Sequence, residues 1–467
     1  MNYLRITTVF HFILLVLISF NSTAQDLGID LNVNLATVEG TPESAVSAAL
    51  STLCPQLQAQ NDRNQDQEQL LNVCNLLNNA DPNSPGTNTA LKAISARSAS
   101  SETTVTNRMP TSRSFSEIGK RLAALRRGAE QRSLFSLNIN GRDYAYDNNA
   151  PNNSSSNIHS DSQVANYFSE QTGGGAGDET GTGRISGFLS TDYISFDQSE
   201  TLKLAGLEGD AKNIVIGGDY RFSDQFFSGI AANYTGNNVD LNDKAGELST
   251  TTYGLTLYGT FYGSDRWYVD GVVGFGNQSY ELTREIAFTV NGVNTDETAK
   301  SNPNGGFYSL SIGTGYEFTW KNGTTLDSAG NLIYSKADID AFTETNAHGL
   351  NLQVEGQSIE ISRLRLGGSL SRPFSSPWGI ITPQLTAFWI HELSKQGQEV
   401  NAQFAADPSN TTFSYTTDER DPNYMNLSAG ASWLSAGGIA VFLQYDKLVM
   451  LNDYDQYAVS FGGRMEF

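Results

Sequence analysis

Basic residues are scarce in this chain. Against 50 Asp and Glu stand 29 Lys and Arg, leaving a formal charge of −21 and a sequence pI near 4.5 over 467 residues. Nucleic-acid phosphates demand clustered Lys and Arg, so that class of partner is excluded. Histidine is rarer still, with four in all, and cysteine is confined to Cys54 and Cys74. Beyond the extreme N-terminus no apolar run approaches the roughly 20 residues that a membrane-spanning helix needs. A membrane location, if there is one, is not achieved with helices.

Catalytic motifs are equally thin. There is no GxSxG elbow, no GDS-type esterase start and no P-loop. "HELSK" at His391 lacks the second His of HExxH. "GGGAG" at 173–177 has neither a strand before it nor a helix after it, and reads as linker. The acidic "DERDPNY" reads as a solvated loop before it reads as a Ca²⁺ site. No catalytic residue, cofactor site or metal site is assigned, and the chain is expected not to be an enzyme.

What is there begins with an export signal. "MNYLRITTVFHFILLVLISFNSTAQ" carries Arg5, an apolar core from Val9 to Phe20, and small residues before Gln25. That predicts a signal peptide over 1–24. In an exported chain a lone cysteine pair points to a Cys54–Cys74 disulfide. Ala-, Leu- and Gln-rich stretches flank "NDRNQDQ" and predict two short helices, stapled by that bridge with about 3 kcal/mol in the loop-closure picture.

"SFSEIGKRLAALRRGAE" predicts a further helix. Ser114 and Glu117 form a capping-box signature, and Phe115, Ile118, Leu122 and Leu125 recur at helical spacing. Lys120, Arg121, Arg126 and Arg127 crowd this one element. A plain amphipathic helix with cations near its C-terminal end is the simpler account of them. Residues 131–182 are Asn-, Ser- and Gly-rich and read as flexible, with a short hairpin around Asn140-Gly141.

From 183 the period is two. Twelve strand-like stretches follow, such as "TYGLTLYGTFY", in which Tyr253, Leu255, Leu257 and Phe261 alternate with Gly254, Thr256, Tyr258 and Thr260. The ending "YAVSFGGRMEF" keeps this up, with Tyr457, Val459, Phe461, Met465 and Phe467 on one face. A soluble sandwich would turn the oily face inward, whereas a transmembrane barrel turns it outward. Three features favour the barrel: strictly alternating short and long polar connections, an even strand count, and aromatics at strand ends (Phe222, Phe226, Tyr262, Trp267, Trp320, Trp378, Trp433). Its last strand pairs with the first to remove the edge. The fold class is therefore all-β, a 12-stranded antiparallel transmembrane barrel behind a small helical region. Asp219, Asp270, Glu317 and Asp446 are expected inside it, beside Arg221, Arg363 and Arg365.

The run from about 183 to 467 resembles the autotransporter β-domain of type V secretion, on "YGLTLYGTFYGSDRWYVDGVVGFG" and the near-terminal "FLQYD". "FGGRMEF" resembles the C-terminal strand that the barrel-assembly machinery reads, and "RLAALRRG" the pore helix of that family. The resemblance implies a Gram-negative outer membrane with lipid and lipopolysaccharide as surroundings. It also implies a pore helix over 111–130, whose Lys120, Arg121, Arg126 and Arg127 meet the barrel acids. Residues 25–110 stand where the family carries a passenger, but are short and helical. Two functions follow. Either the barrel anchors, translocates and displays that region, or it is a porin-like or structural barrel with a plugged lumen. Asn78-Asn79 invites comparison with passenger cleavage sites, yet lies far from the helix.

Overall fold

A computed structural model describes residues 38–99, 117–123 and 125, the backbone of 135–139 and 142–146, and residues 184–263, 266–435 and 439–466. Twelve strands close into an antiparallel ring. They are β1 (Ile185–Gln198), β2 (Leu207–Arg221), β3 (Phe226–Leu241), β4 (Gly246–Tyr262), β5 (Trp267–Val290) and β6 (Asn304–Thr319). The ring continues with β7 (Thr325–Ile339), β8 (Gln357–Ser371), β9 (Gly379–Glu392), β10 (Asn423–Leu434), β11 (Ala440–Val449) and β12 (Tyr454–Glu466). Each pairs with its sequence neighbour, and β12 closes on β1 from Tyr454↔Gln198 to Glu466↔Ser186. Closure leaves no unpaired edge, which a sheet in hydrocarbon cannot tolerate.

Alternation sets the faces. Along β1, Ile185, Leu189 and Tyr193 are exposed while Ser186, Phe188, Ser190 and Asp192 point inward and are buried. The same outward oily row recurs in Ile214 and Ile216, in Leu255 and Leu257, and in Leu443 and Tyr445. The oily side is thus the outside of the ring, the inverse of a sandwich. Five connections at one rim are tight: 222–225, 263–266, 320–324, 372–378 and 435–439.

At the other rim the connections are of two kinds. Those at 242–245 and 450–453 are also short: β3 and β4 pair as far as Leu241↔Gly246, and β11 and β12 as far as Lys447↔Tyr457. The strict alternation of short and long loops therefore does not hold. Nor are the long connections plain loops. β5 runs on to Val290 and turns at Asn291-Gly292, both at positive φ, into a ribbon strand, Val293–Ser301. Phe342–Thr343, Leu352–Val354, Glu399–Phe404 and Phe413–Thr416 make a separate four-stranded sheet. The strand pattern of 352–372 is therefore divided between two strands, Leu352–Val354 in this loop sheet and Gln357–Ser371 in the barrel.

Among the described residues, the N-terminal region holds three helices rather than two: α1 (Pro42–Ala59), α2 (Gln65–Asn78) and α3 (Pro85–Ile94). Thr41, Asn64 and Ser84 cap their N-termini, and Asn64 and Gln67 form a reciprocal capping box. Cys54 and Cys74 are bonded, with Cα atoms 5.7 Å apart. The helices share one core with the long-loop rim. Val46, Leu53, Leu57 and Leu70 pack with Ile286, Phe288, Val400 and Phe404. A cap thus stands on that rim of the barrel.

Candidate functional site

The site is the barrel lumen and the cap above it. Residues 117–123 are helical and lie inside the ring. The apolar stripe predicted for this helix puts Ile118, Leu122 and Leu125 against inward-facing Phe188, Val215, Phe227 and Tyr258. That inner apolar patch was not legible in the sequence, where the inward rows read as small and polar. Arg121 donates from Nε to Asp219 Oδ2 and from Nη2 to Asp219 Oδ1, both at 2.8 Å, and also bonds Ser186. Lys120 donates to Glu117 at 2.6 Å and Ser460 at 2.9 Å, and lies 3.6 Å from Asp446. The Glu117 carboxylate accepts from Ser190, so it is turned to the wall; Ser114, its expected capping partner, lies outside the described residues.

These contacts give the helix a direction. Arg121 meets Ser186, at the start of β1 by the short-turn rim, and Glu117 meets Ser190, farther along the same strand. The helix N-terminus therefore points toward the long-loop rim, where the cap sits. Among the described residues of the helix, Lys120 and Arg121 each have an anionic partner on the wall, Asp446 and Asp219, and a buried charge of this kind is tolerated only when paired.

Beside the helix a cavity of about 370 Å³ remains, lined among others by Asp270, Asp327, Arg365 and Phe388. Arg363 pairs with Glu392 at 3.0 Å, and Arg365 stacks over Phe388 at 3.5 Å. Glu317 accepts from the Tyr262 hydroxyl at 3.2 Å. Tyr262 is therefore an inward residue and not part of the outer aromatic row. Phe222, Phe226, Trp267, Trp320, Trp378 and Trp433 are exposed on the outside by the tight turns.

The cap is tied to the rim by polar groups that the sequence did not single out. Arg284 on β5 forms an ion pair with Glu344 and donates to Ala93 O at 2.8 Å and Leu350 O at 2.9 Å. Tyr415 donates to Ala96 O at 2.9 Å. Arg97 lies 3.4 Å from Glu43 and 2.7 Å from Glu200, and donates to Leu204 O at 3.2 Å. Burial pushes the Glu43 carboxyl up, with the Arg97 charge only partly opposing it. Burial would also raise Glu200, but Lys92 and Arg97 hold it below the usual range. One signal for this region was available: Leu282, Ile286, Phe288 and Val290 keep the period of two beyond the barrel, into an Asn-Gly hairpin turn.

Of the other sequence-derived residues, Tyr457, Val459, Phe461 and Met465 form one outward row of β12. Arg126, Arg127, Phe467 and the signal segment 1–24 lie outside the described residues, as does most of 131–182. Phe135–Ile139 and Arg142–Tyr146 do pair as a hairpin. His391 bonds Asn423 at 2.9 Å, at the end of β9. In "DERDPNY", Asp421 accepts from Asn452 at 2.6 Å.

Comparison with known proteins places this arrangement. The chain is 25% identical over 202 residues to esterase EstA of Pseudomonas aeruginosa, which covers 43% of this chain and 29% of that protein. It is 24% identical over 217 residues to an uncharacterised protein in the trpE-trpG intergenic region of Pseudomonas putida, covering 44% and 34%. The chain thus spans about a third of the length of these curated relatives. Among solved structures it is similar to the translocator domain of the autotransporter NalP from Neisseria meningitidis. There the TM-score is 0.48 at 16% identity, over 66% of this chain and 94% of that one. For the β-domain of the Bordetella autotransporter BrkA the TM-score is 0.44 at 14% identity, over 61% and 100%. The autotransporter β-domain family matches residues 187–446, more than half of the chain. The chain belongs to the autotransporter β-domain family, Gram-negative outer-membrane barrels that translocate a passenger.

Proposed function

We propose that this barrel carries its own N-terminal helical region across the outer membrane, displays it at the cell surface, and is then plugged by the helix around Lys120 and Arg121. The supporting observation is the direction of that helix. Short turns face the periplasm in barrels of this class. A helix whose N-terminus points at the opposite rim leads outward to the cap, as a chain threaded through its own barrel must. Arg126 and Arg127 belong to the same plug in this reading, and the domain limits 25–110, 111–130 and 183–467 are its working boundaries.

The rest of the reading concerns surroundings and chemistry. Outer-membrane insertion in this family generally runs through the barrel-assembly machinery. Tyr457, Val459, Phe461, Met465 and Phe467 form the strand that it would read here. The outward oily rows would meet lipid and lipopolysaccharide. The barrel domain is not an enzyme. We extend that to the displayed helices, which carry no esterase motif, so expressing cells should hydrolyse p-nitrophenyl esters no faster than controls. An epitope tag near residue 30 tests display. Antibody binding and protease removal on intact cells support it, and protection of the tag contradicts it.

A further inference from the structure

We infer that α1, α2 and α3 and the outer loops are two halves of a single surface domain, so the displayed segment stays bound to its own barrel instead of leaving it. This rests on the display reading above. The loops are built to be covered: Ile286, Phe288, Val400 and Phe404 lie above the barrel yet are at most 5% exposed, because the helices sit on them. The helices are equally incomplete alone. Their buried faces, from Val46 to Ile94, have the loop strands as the other side of their core. Helices as short as these owe most of their stability to packing of an apolar face.

The seam is specific in shape as well as oily. At Gly86, in the first turn of α3, a Cβ would collide with the Thr289 carbonyl oxygen of β5. At Gly349, in the 340–356 connection, a Cβ would collide with the Asp66 carbonyl oxygen and crowd the Leu70 nitrogen of α2. Backbone meets backbone at two separate helices, each time through a glycine. Arg284 to Ala93 and Tyr415 to Ala96 add hydrogen bonds from loop to helix end. Asn79 O also accepts from Asn291 at 3.2 Å, at the tip of the ribbon. A passenger destined for release has no use for a fitted seat on its carrier.

The test uses the full chain purified in mild detergent, with a flexible linker carrying a site-specific protease site inserted between residues 105 and 106. After cutting, the N-terminal fragment should co-elute with the barrel in size exclusion. Gly86→Leu and Gly349→Val, both outside the barrel strands, should each let the fragment separate while the barrel keeps its heat-modifiable gel mobility. If one variant fails to assemble, the other carries the test. Separation of the cut fragment from the barrel without either glycine substitution overturns the inference, as does continued co-elution of the assembled variants. Failure of display reads differently: the fragment co-elutes, but the tag near residue 30 is silent on intact cells.

Discussion

Arg284 and Glu344 form a buried ion pair at the base of the cap, and the Arg284 guanidinium also donates to the last turn of α3. Both side chains are almost fully buried, and the Glu344 carboxylate also accepts from the Leu352 amide at 2.8 Å. Removing either partner strands a charge, which costs about 3–5 kcal/mol for a buried pair. Arg284→Ala should therefore loosen the cap and leave the ring intact. Limited trypsin digestion in detergent should then remove the N-terminal helices from a barrel that keeps its heat-modifiable mobility; an unchanged digestion pattern counts against this role.

The Arg121–Asp219 pair makes a second prediction. Charge-reversing Arg121 should repel the helix from the wall and raise ion conductance in planar bilayers, and Asp219→Arg in the same chain should bring it back down. The pair is close enough that the two effects must not add. Equal conductance in wild type and Arg121→Glu would show that the helix does not limit the pore.

The Glu43, Arg97 and Glu200 cluster predicts opposite pH behaviour for its two acids. Glu43 has a raised carboxyl, so its favourable contribution is present below its unfolded-state range and is lost as pH rises through its folded value. Glu200 is depressed, so its contribution is present above about pH 4 and lost as pH falls through its folded value. At pH 7, Glu43→Gln should raise the denaturant midpoint of cap proteolysis and Glu200→Gln should lower it. The same sign for both variants would contradict the assignment.

Replacing Cys54 and Cys74 together by Ser should destabilise the cap alone, by about 3 kcal/mol. All five tryptophans lie in the barrel or its turns, so their emission should unfold unchanged while the cap becomes protease-sensitive at lower urea.

The barrel was legible because one rule governs it. Alternation over a dozen residues fixes both the strand and its outward-facing side, and the row from Tyr457 to Met465 shows it along the whole of β12. The cap was not legible, because its order comes from partners far apart in sequence. The alternation through Ile286 shows a strand, but not what covers it until Ile94 and Leu350 are seen against the same core. Tyr262 misled for a related reason: an aromatic at a strand end fits a girdle or a lumen equally well until its parity is tied to Glu317. In the lumen, Lys120 and Arg121 were visible as cations and Asp219 and Asp446 as inward acids, but which met which depended on helix depth and rotation. Phe188 and Tyr258, which seat the helix, carried no signal separable from the strand pattern.

The central claim is that the N-terminal helices stand outside the cell while the tight turns stand in the periplasm. Single cysteines at Pro82, in the exposed turn before α3, and at Lys321, in an exposed tight turn, report the two sides directly, since both native cysteines are bonded to each other. A membrane-impermeant maleimide should label Pro82→Cys on intact cells and Lys321→Cys only after the outer membrane is permeabilised. Labelling of Lys321→Cys on intact cells, with Pro82→Cys protected, would contradict the account.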